Sequence, residues 1–545
     1  MKNLPAALLA IIVLSSSAYA QQVIPPKRIS KEGIAEAYAG PSMKAKPGRT
    51  FKEFTLVSDN RHVIRMNANR DDEFEVFDNN LGVAETYTWD DARYNGGADM
   101  KLIAFNGNYY KLRTGVDRDK NTNSVFITQY ELGKGPSTDS LELTTIKEEA
   151  FYYEYFNKAF AGAKVNRKGD VMIVTVKMPD QNNPSGVRSP KLRFMAFDQS
   201  FKMLWMQDLD FYDREGKIKE GADGWFAAAG NSNVLVSDNG DAYVWGEIDR
   251  GAELEDSERY KLKLFKLNKD GVKMTSTSKL RGLESKIVAT QGHLVMVSTF
   301  GQYGLKQKSG FVLGGAEGLQ LLRWNGDSDN PTVKELAFGI DHLSNNKTGK
   351  AVKNLQKMES KGTPLLSPNF TINDLILLED NSLIVAAQNQ NVEKEVATNG
   401  YTTYTHTGGD IHVFSLSDKD KINWSQQIPV NQINKDGLGI GYGLKVWNNT
   451  AYVFFNDHFE NVAKEWTTEK SPSKWTGKDD HAVAYVAIDM ANPDNEQKRN
   501  QYWKSRSAGV TMKPALFTSH FDQDYGLLFI EGGKQKLRLI RLEFD

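Results

Sequence analysis

Beyond residue 50 the chain alternates short apolar runs with polar turns, and the alternation repeats. One unit displays the grammar in full. Residues 233–237 (NVLVS) form an apolar run, and Asp238-Asn239-Gly240-Asp241 forms a turn in which Asn and Gly tolerate positive φ. Residues 242–248 make a second run. Residues 260–267 (YKLKLFKL) alternate polar and apolar with period two, as a half-buried strand must. The same order recurs along the chain. It pairs 62–68 (HVIRMNA) with 74–77, 109–114 with 125–132, 171–178 (VMIVTVKM) with 191–197, and 294–300 with 319–324. It continues with 382–388 and 410–416, 451–456 and 482–488, and 526–531 and 537–544.

Repetition at roughly 40 to 65 residues predicts an all-β chain folded as a single closed β-propeller of four-stranded antiparallel blades. Eight blades fit the count, with seven plus a stray unit as the alternative. A thin sheet cannot cover both of its faces, whereas sheets stacked around an axis cover one another. Two independent β-domains of about 250 residues each, and a β-helix, are the rival readings. The last unit ends on its third strand at Asp545, so a ring needs one more outer strand, and 26–49 is the candidate to supply it. Helical spacing is expected at 31–38 and 341–361, and at 140–163, where adjacent aromatics fit a strand equally well.

The first residues read as an address. Lys2 supplies a positive start, 5–14 is an apolar run, and Ala18-Tyr19-Ala20 offers small residues at the two positions a signal peptidase reads. The organisation expected is therefore a signal peptide at 1–20, a leader at 21–50 and the propeller at 51–545. The run is too short to span a bilayer, and no later segment is long and apolar enough. Export to the periplasm, the cell surface or the medium is the expected localisation. Composition narrows the classes further. Hydrophobic residues at 40% and aromatics at 11% provide a core, and a net charge of -1 argues against a nucleic-acid binder. The chain has no cysteine, which removes disulfides, thiolate metal sites and cysteine nucleophiles.

The insertions fall on one side. In a four-stranded antiparallel unit with strands A to D, the A–B and C–D connections leave by one face, and B–C and D–A by the other. The A–B turns are tight (238–241, 106–108, 379–381, 448–449), and the long stretches are B–C: 115–124, 179–190, 249–259, 301–318, 389–409 and 457–481. The longest D–A connection, 339–369, leaves on the same face. Two of these insertions carry aromatics suited to a sugar, a peptide or a partner surface. They supply the candidate binding residues Tyr401, Tyr404 and His406, and His458, Trp466 and Trp475. The bland alternative is that these rings pin their own loops.

No constellation specifies a reaction. His458, His481 and His520 lie in consecutive late units, yet the chain has no H-E-x-x-H or H-x-H spacing, so no metal site is assigned. Asp117, Asp119, Asn121 and Asn123 resemble the start of a calcium loop, but Thr122 stands where that loop needs glycine and Thr128 where it needs an acid. Residues 314–318 (GGAEG) connect strand to strand and read as flexible linkage, not as a phosphate cradle.

Two resemblances add to this reading. Phe197-Asp198 with Trp205, Leu416-Ser417 with Trp424, and more loosely Phe77-Asp78 with Trp89 and Ile488-Asp489 with Trp503, place a polar turn before a strand opening with Trp. This resembles the blades of pyrroloquinoline-quinone-type propellers, in which the Trp docks between neighbouring blades. The enzymes of that family hold the quinone against a vicinal disulfide and a calcium site; lacking cysteine, this chain is expected to carry no such cofactor. Residues 373–457 resemble a family of uncharacterised exported bacterial propeller-like proteins. The matching residues are 383–388, 411–416, Ile422-Asn423-Trp424, Gln432 and Phe455-Asn456-Asp457, with Ala387 where that family has glutamate. The resemblance implies fold and export only. The function expected is non-catalytic: a binding or scaffold propeller engaging a protein or glycan of the cell envelope through its B–C loops. A polysaccharide hydrolase or lyase with its site at the channel mouth of that face is the alternative.

Overall fold

The computed structural model describes most of residues 27–544; outside the described residues lie 1–26, 90–101, 148–160, 178–191, 210–233, 250–259, 278–284, 463–471, 494–498, 506–510, 520–524 and shorter stretches. The signal-peptide reading, Trp466, His520 and Asp119 to Asn121 fall there. Among the described residues the chain is all-β, with eight antiparallel sheets of four or more strands following one another in sequence. Every strand pair read from the sequence is present. Arg61–Ala68 pairs with Asp71–Phe77, Asn108–Asp117 with Thr122–Glu131, Val171–Lys177 with Leu192–Asp198, and Ala242–Asp249 with Tyr260–Asn268. Leu294–Phe300 pairs with Gly318–Trp324, Leu383–Val396 with Thr402–Leu416, Thr450–His458 with His481–Asp489, and Tyr525–Gly532 with Lys536–Glu543.

Period two explains how these sheets stack. In the third sheet Met172, Val174 and Val176 face the second sheet, while Ile173 faces the fourth. In the fifth, Leu294 and Met296 face back to the fourth, and Val295 and Val297 face forward to the sixth. The sixth and seventh sheets share a further core, as do the seventh and eighth. Strands buried on both faces become continuous apolar runs such as LVMVSTF. Trp205 and Trp424 pack into the cores shared with the next sheet, as the blade-turn resemblance implied.

Tight A–B turns are produced by residues that tolerate left-handed backbone. Asn106 (φ 48°) and Gly107 (φ 68°) close one hairpin, and Asn448 (φ 43°) and Asn449 (φ 59°) another, the two-residue geometry whose twist matches the strands. Polar contacts bridge neighbouring sheets at their outer turns. Arg323 Nε donates to Asp420 Oδ1 at 2.6 Å, Lys273 Nζ to Asp327 Oδ1 at 2.7 Å, and Gln207 Nε2 to the Asn268 carbonyl at 2.9 Å.

Four expectations need correction. Residues 36–39 are a strand (Glu36–Ala39), not part of a helix, because ladder pairing outweighs helical spacing; 140–147 belong to the strand Gly135–Lys147, in line with the strand alternative left open there. The glycines at 315 and 318 are not loose linkage. A Cβ at Gly315 would lie 2.6 Å from the Leu366 carbonyl oxygen, and one at Gly318 2.3 Å from that of Leu336, so glycine here permits backbone close-packing. The insertion at 115–124 is mostly strand, with Asp117 and Asn123 in the ladder. Finally, 389–409 is an extension of its own two strands. The expected helix at 341–361 is present as Ile340–Leu343 and Gly349–Glu359, with Leu343 and Leu355 buried against the fifth and sixth sheets.

The N-terminal strand Glu36–Ala39 lies antiparallel to the C-terminal strand Lys536–Glu543, with Lys27–Ser30 outside it. A chain beginning at Phe51 loses this ladder. At about 0.5–1.5 kcal/mol per net backbone hydrogen bond, it is expected to lose about 2–4 kcal/mol of stability in urea unfolding, and a peptide of residues 27–48 added in trans should restore part of it.

Candidate functional site

Among the described residues, the most exposed apolar group on the insertion side is built by the sixth sheet. Its two central strands run past the sheet as a ribbon, with Gly400 at φ 82° near its tip. Along Leu383–Val396 burial falls from complete at the start to full exposure at the end. The register then decides which side chains share a face, because residues directly opposite in an antiparallel pair point the same way. Val392 lies opposite His406, Lys394 opposite Tyr404, and Val396 opposite Thr402. The other face carries Asn391 opposite Thr407, Glu393 opposite Thr405, and Glu395 opposite Thr403. One face is therefore apolar and aromatic, and the other acidic and hydroxylated. Val392 is 54% exposed, Val396 61%, Tyr404 47%, and Tyr401, at the tip, 74%.

Of the candidate residues, the structure brings Tyr401, Tyr404 and His406 together on this ribbon. His406 sits at its base against Gly437, where a Cβ would lie 2.9 Å from Nδ1. Trp475 must be withdrawn as a contact residue: it is 0% exposed. Its N–H donates to the Asn431 carbonyl at 2.9 Å, and its carbonyl accepts from the Ile433 N–H at 2.9 Å. These backbone bonds pin the seventh sheet's insertion against the strand Gln432–Asn434, which in turn pairs with His406–Gly408. A ring this large is worth more under its own loop than in water. His458 is half-buried beside Phe459 (5.4 Å between centroids), and its Nδ1 accepts from the Glu460 N–H at 3.3 Å, so it helps start the short helix Phe459–Val462. His481 stands opposite His458 in the ladder. Among the described residues no group of three or more His, Asp or Glu is placed to hold a metal.

The ribbon's base is held by a buried amide network. Gln388 Nε2 donates to the Gly409 carbonyl at 2.9 Å and to Gln432 Oε1 at 3.3 Å. Gln432 Nε2 donates to the carbonyls of Gly441 (3.1 Å) and Asn456 (2.9 Å), while its Oε1 accepts from the Gly441 N–H at 3.0 Å. Asn456 reaches onward, giving 2.8 Å to the Gly439 carbonyl and 2.9 Å to that of Met512, and taking 2.8 Å from the Met512 N–H in the eighth sheet. Asn461 Nδ2 caps Asp457 Oδ1 at 2.7 Å. Gly408 makes room: a Cβ there would meet Gln432 Oε1 at 2.6 Å. Gln388, Gln432, Asn456 and Asp457 are residues of the exported-family resemblance; the first three join the sixth, seventh and eighth sheets, while Asp457 holds the start of the seventh sheet's own insertion.

A second feature sits where first strands of neighbouring sheets meet. Asp374, beside a bulge in Phe370–Leu377, is raised to about 6 by burial of its carboxyl, with the Lys286 ammonium and the Tyr442 hydroxyl opposing the shift. Tyr442 is itself held well above its ordinary value by burial and by the facing Asp374 charge, and its hydroxyl makes no hydrogen bond of ordinary geometry. Among the described residues, the groups acting on Asp374 are a lysine and a tyrosine. The sequence offered no local signal for this pair.

Two outcomes follow. Because native Asp374 binds its proton more tightly than the unfolded chain does, stability falls as pH rises from about 4 to about 6 and is level above. Asp374→Asn is therefore expected to stabilise by about 1–3 kcal/mol above pH 6, the gain vanishing below pH 4, as read by urea unfolding at both ends. Gln432→Ala orphans several buried groups and is expected to cost about 2–4 kcal/mol in the same measurement at neutral pH.

No protein-family model and no curated protein matches the chain. Among solved structures it is similar to prolyl oligopeptidase B from Galerina marginata, with 8% identity and a TM-score of 0.35 over 89% of this chain and 55% of that one. It is similar also to the β-propeller domain of Nup133 from Vanderwaltozyma polyspora, with 11% identity and a TM-score of 0.29 over 81% of this chain and 100% of that one. A third is the uncharacterized protein lmo1340 from Listeria monocytogenes EGD-e, with 7% identity and a TM-score of 0.28 over 78% and 89%. The chain spans about half the length of the prolyl oligopeptidase it resembles.

Proposed function

We propose that the chain is an eight-bladed propeller closed by its N-terminal strand, and that it acts outside the cytoplasm as a non-catalytic module holding a protein partner on the ribbon of the sixth blade. Closure is supported by the pairing of Glu36–Ala39 with Lys536–Glu543, and by the strand Thr518–Ser519 lying against Arg49–Ser58 of the first sheet. Export rests on the leader pattern at 1–20.

One observation carries the binding reading: Val392, Val396 and Tyr404 share one exposed face, with Tyr401 at its tip. Soluble surfaces tolerate single apolar residues, but a one-sided cluster on a projecting element fits an interaction surface. The same register favours a protein over a glycan. A sugar site sets carboxylates or amides beside its stacking ring, and here Glu393 and Glu395 lie on the opposite face. The hydrolase alternative wants two carboxyls flanking a bond, and Asp374 has a lysine and a tyrosine for company.

The test is photo-crosslinking from position 401 in the native envelope. A discrete protein adduct is expected, and Tyr404→Ser with Val396→Ser should weaken capture of that protein at least about tenfold while leaving thermal unfolding unchanged. Trp475→Ala should instead destabilise the fold by about 3–5 kcal/mol. Absence of any adduct, or capture untouched by the double variant, would defeat the reading.

A further inference from the structure

Resting on the ribbon as the docking site, we propose how the partner is read: as an extended strand added along the free edge of residues 391–396, alternating apolar with basic side chains.

The edge is open for a structural reason. Phe370–Leu377 pairs with Leu383–Val396 only as far as Asn389, opposite Phe370. The Gln390 N–H then donates to the Asn369 carbonyl at 2.9 Å, and Asn369 Nδ2 to Asn391 Oδ1 at 3.2 Å. Past Asn391, among the described residues, no strand continues on that side. The strand itself runs on to Val396, held by its other neighbour. A row of backbone donors and acceptors is thus presented in β geometry, already ordered, on the side from which the first strand of the sheet comes. Such an edge accepts an extended segment through main-chain hydrogen bonds, and alternate side chains decide which segment.

The two faces give that decision opposite chemistries. On one, Val392 and Val396 are exposed with Lys394 between them. On the other, Glu393 and Glu395 stand among Asn391, Thr403, Thr405 and Thr407, with no lysine or arginine on that face of the ribbon. An added strand with period two lays apolar side chains beside the valines and basic ones beside the glutamates, each cross-strand pair being favourable. Lys394 repels a basic residue placed on the apolar face, which settles which way the incoming strand must turn. The same charges disfavour a second copy of this chain: edge to edge, Glu393 and Glu395 would meet their own kind.

The experiment uses the full-length chain and fluorescence anisotropy with synthetic peptides of alternating Val and Lys, Val and Glu, or Ser and Lys. The wild type is expected to bind the Val–Lys peptide about tenfold tighter than the Val–Glu peptide, the amount two cross-strand charge pairs supply. The Ser–Lys peptide should bind more weakly than Val–Lys. Glu393→Lys with Glu395→Lys should reverse the charge preference, and Glu393→Gln with Glu395→Gln should erase it, all with unchanged circular dichroism. An order that survives the charge swap overturns the proposal. If the adduct at position 401 persists in that case, the ribbon still docks a protein and only the strand-addition mode is wrong; if it is missing too, both readings fall.

Discussion

A thin antiparallel sheet with two apolar faces has to be covered on both, and this constraint organises the chain. Met172 and Ile173 are neighbours in sequence yet belong to different cores, as are Met296 and Val297. Each sheet is therefore stable only between its neighbours, and the cost of an uncovered face propagates to the next sheet. With no cysteine anywhere, apolar burial supplies most of the stability. The ion pairs at the outer turns, such as Arg323 with Asp420, tie one sheet to the next, and those that lie exposed, such as Lys273 with Asp327, add about 1 kcal/mol or less.

Polar packing takes over where the ladders end. Backbone carbonyls at Gly409, Gly439, Gly441 and Met512 would be orphaned inside the protein, and Gln388, Gln432 and Asn456 satisfy them with long amides that bond on both sides. Amides suit this place because they carry donors and an acceptor without a charge to desolvate. A sequence pattern that resembles a family signature is in this case the means by which three sheets are locked at one end.

The repeating strands were legible because burial on two faces writes period two and apolar runs directly into the chain. The ribbon is legible too: Asn399-Gly400 between the alternating stretches 391–396 and 402–407 is the strongest short-range hairpin cue, although the length of the insertion suggests a loop. Val392 and Val396 give no such signal, since their exposure on one face follows only from register. Trp475 illustrates the limit of composition. A tryptophan in a long insertion can face a partner or plug its own base, and only the parallel bridge from Trp475 to Gln432 tells which. Asp374 and Tyr442 lie 68 positions apart, and what couples them is the approach of two first strands, which no local pattern encodes.

The position of the ribbon bears on how it can bind. A two-stranded ribbon alone is marginal in water. Here both strands are continuous with the central strands of a buried sheet, and their departure point is fixed by the offset between Gln388 and Gln390 and by the amide network below it. Ordering that free ribbons must undergo on binding has already been met by folding, so a modest apolar face can hold a partner with little loss to entropy. The same continuity ties recognition to the core. A substitution at Gly408, whose Cβ would strike both Gln432 and Gln388, would disturb the base of the ribbon without altering any exposed side chain of the proposed docking face. On the proposed reading, affinity is therefore sensitive at two places of different kind: exposed side chains that would meet the partner, and buried ones that decide where those side chains stand.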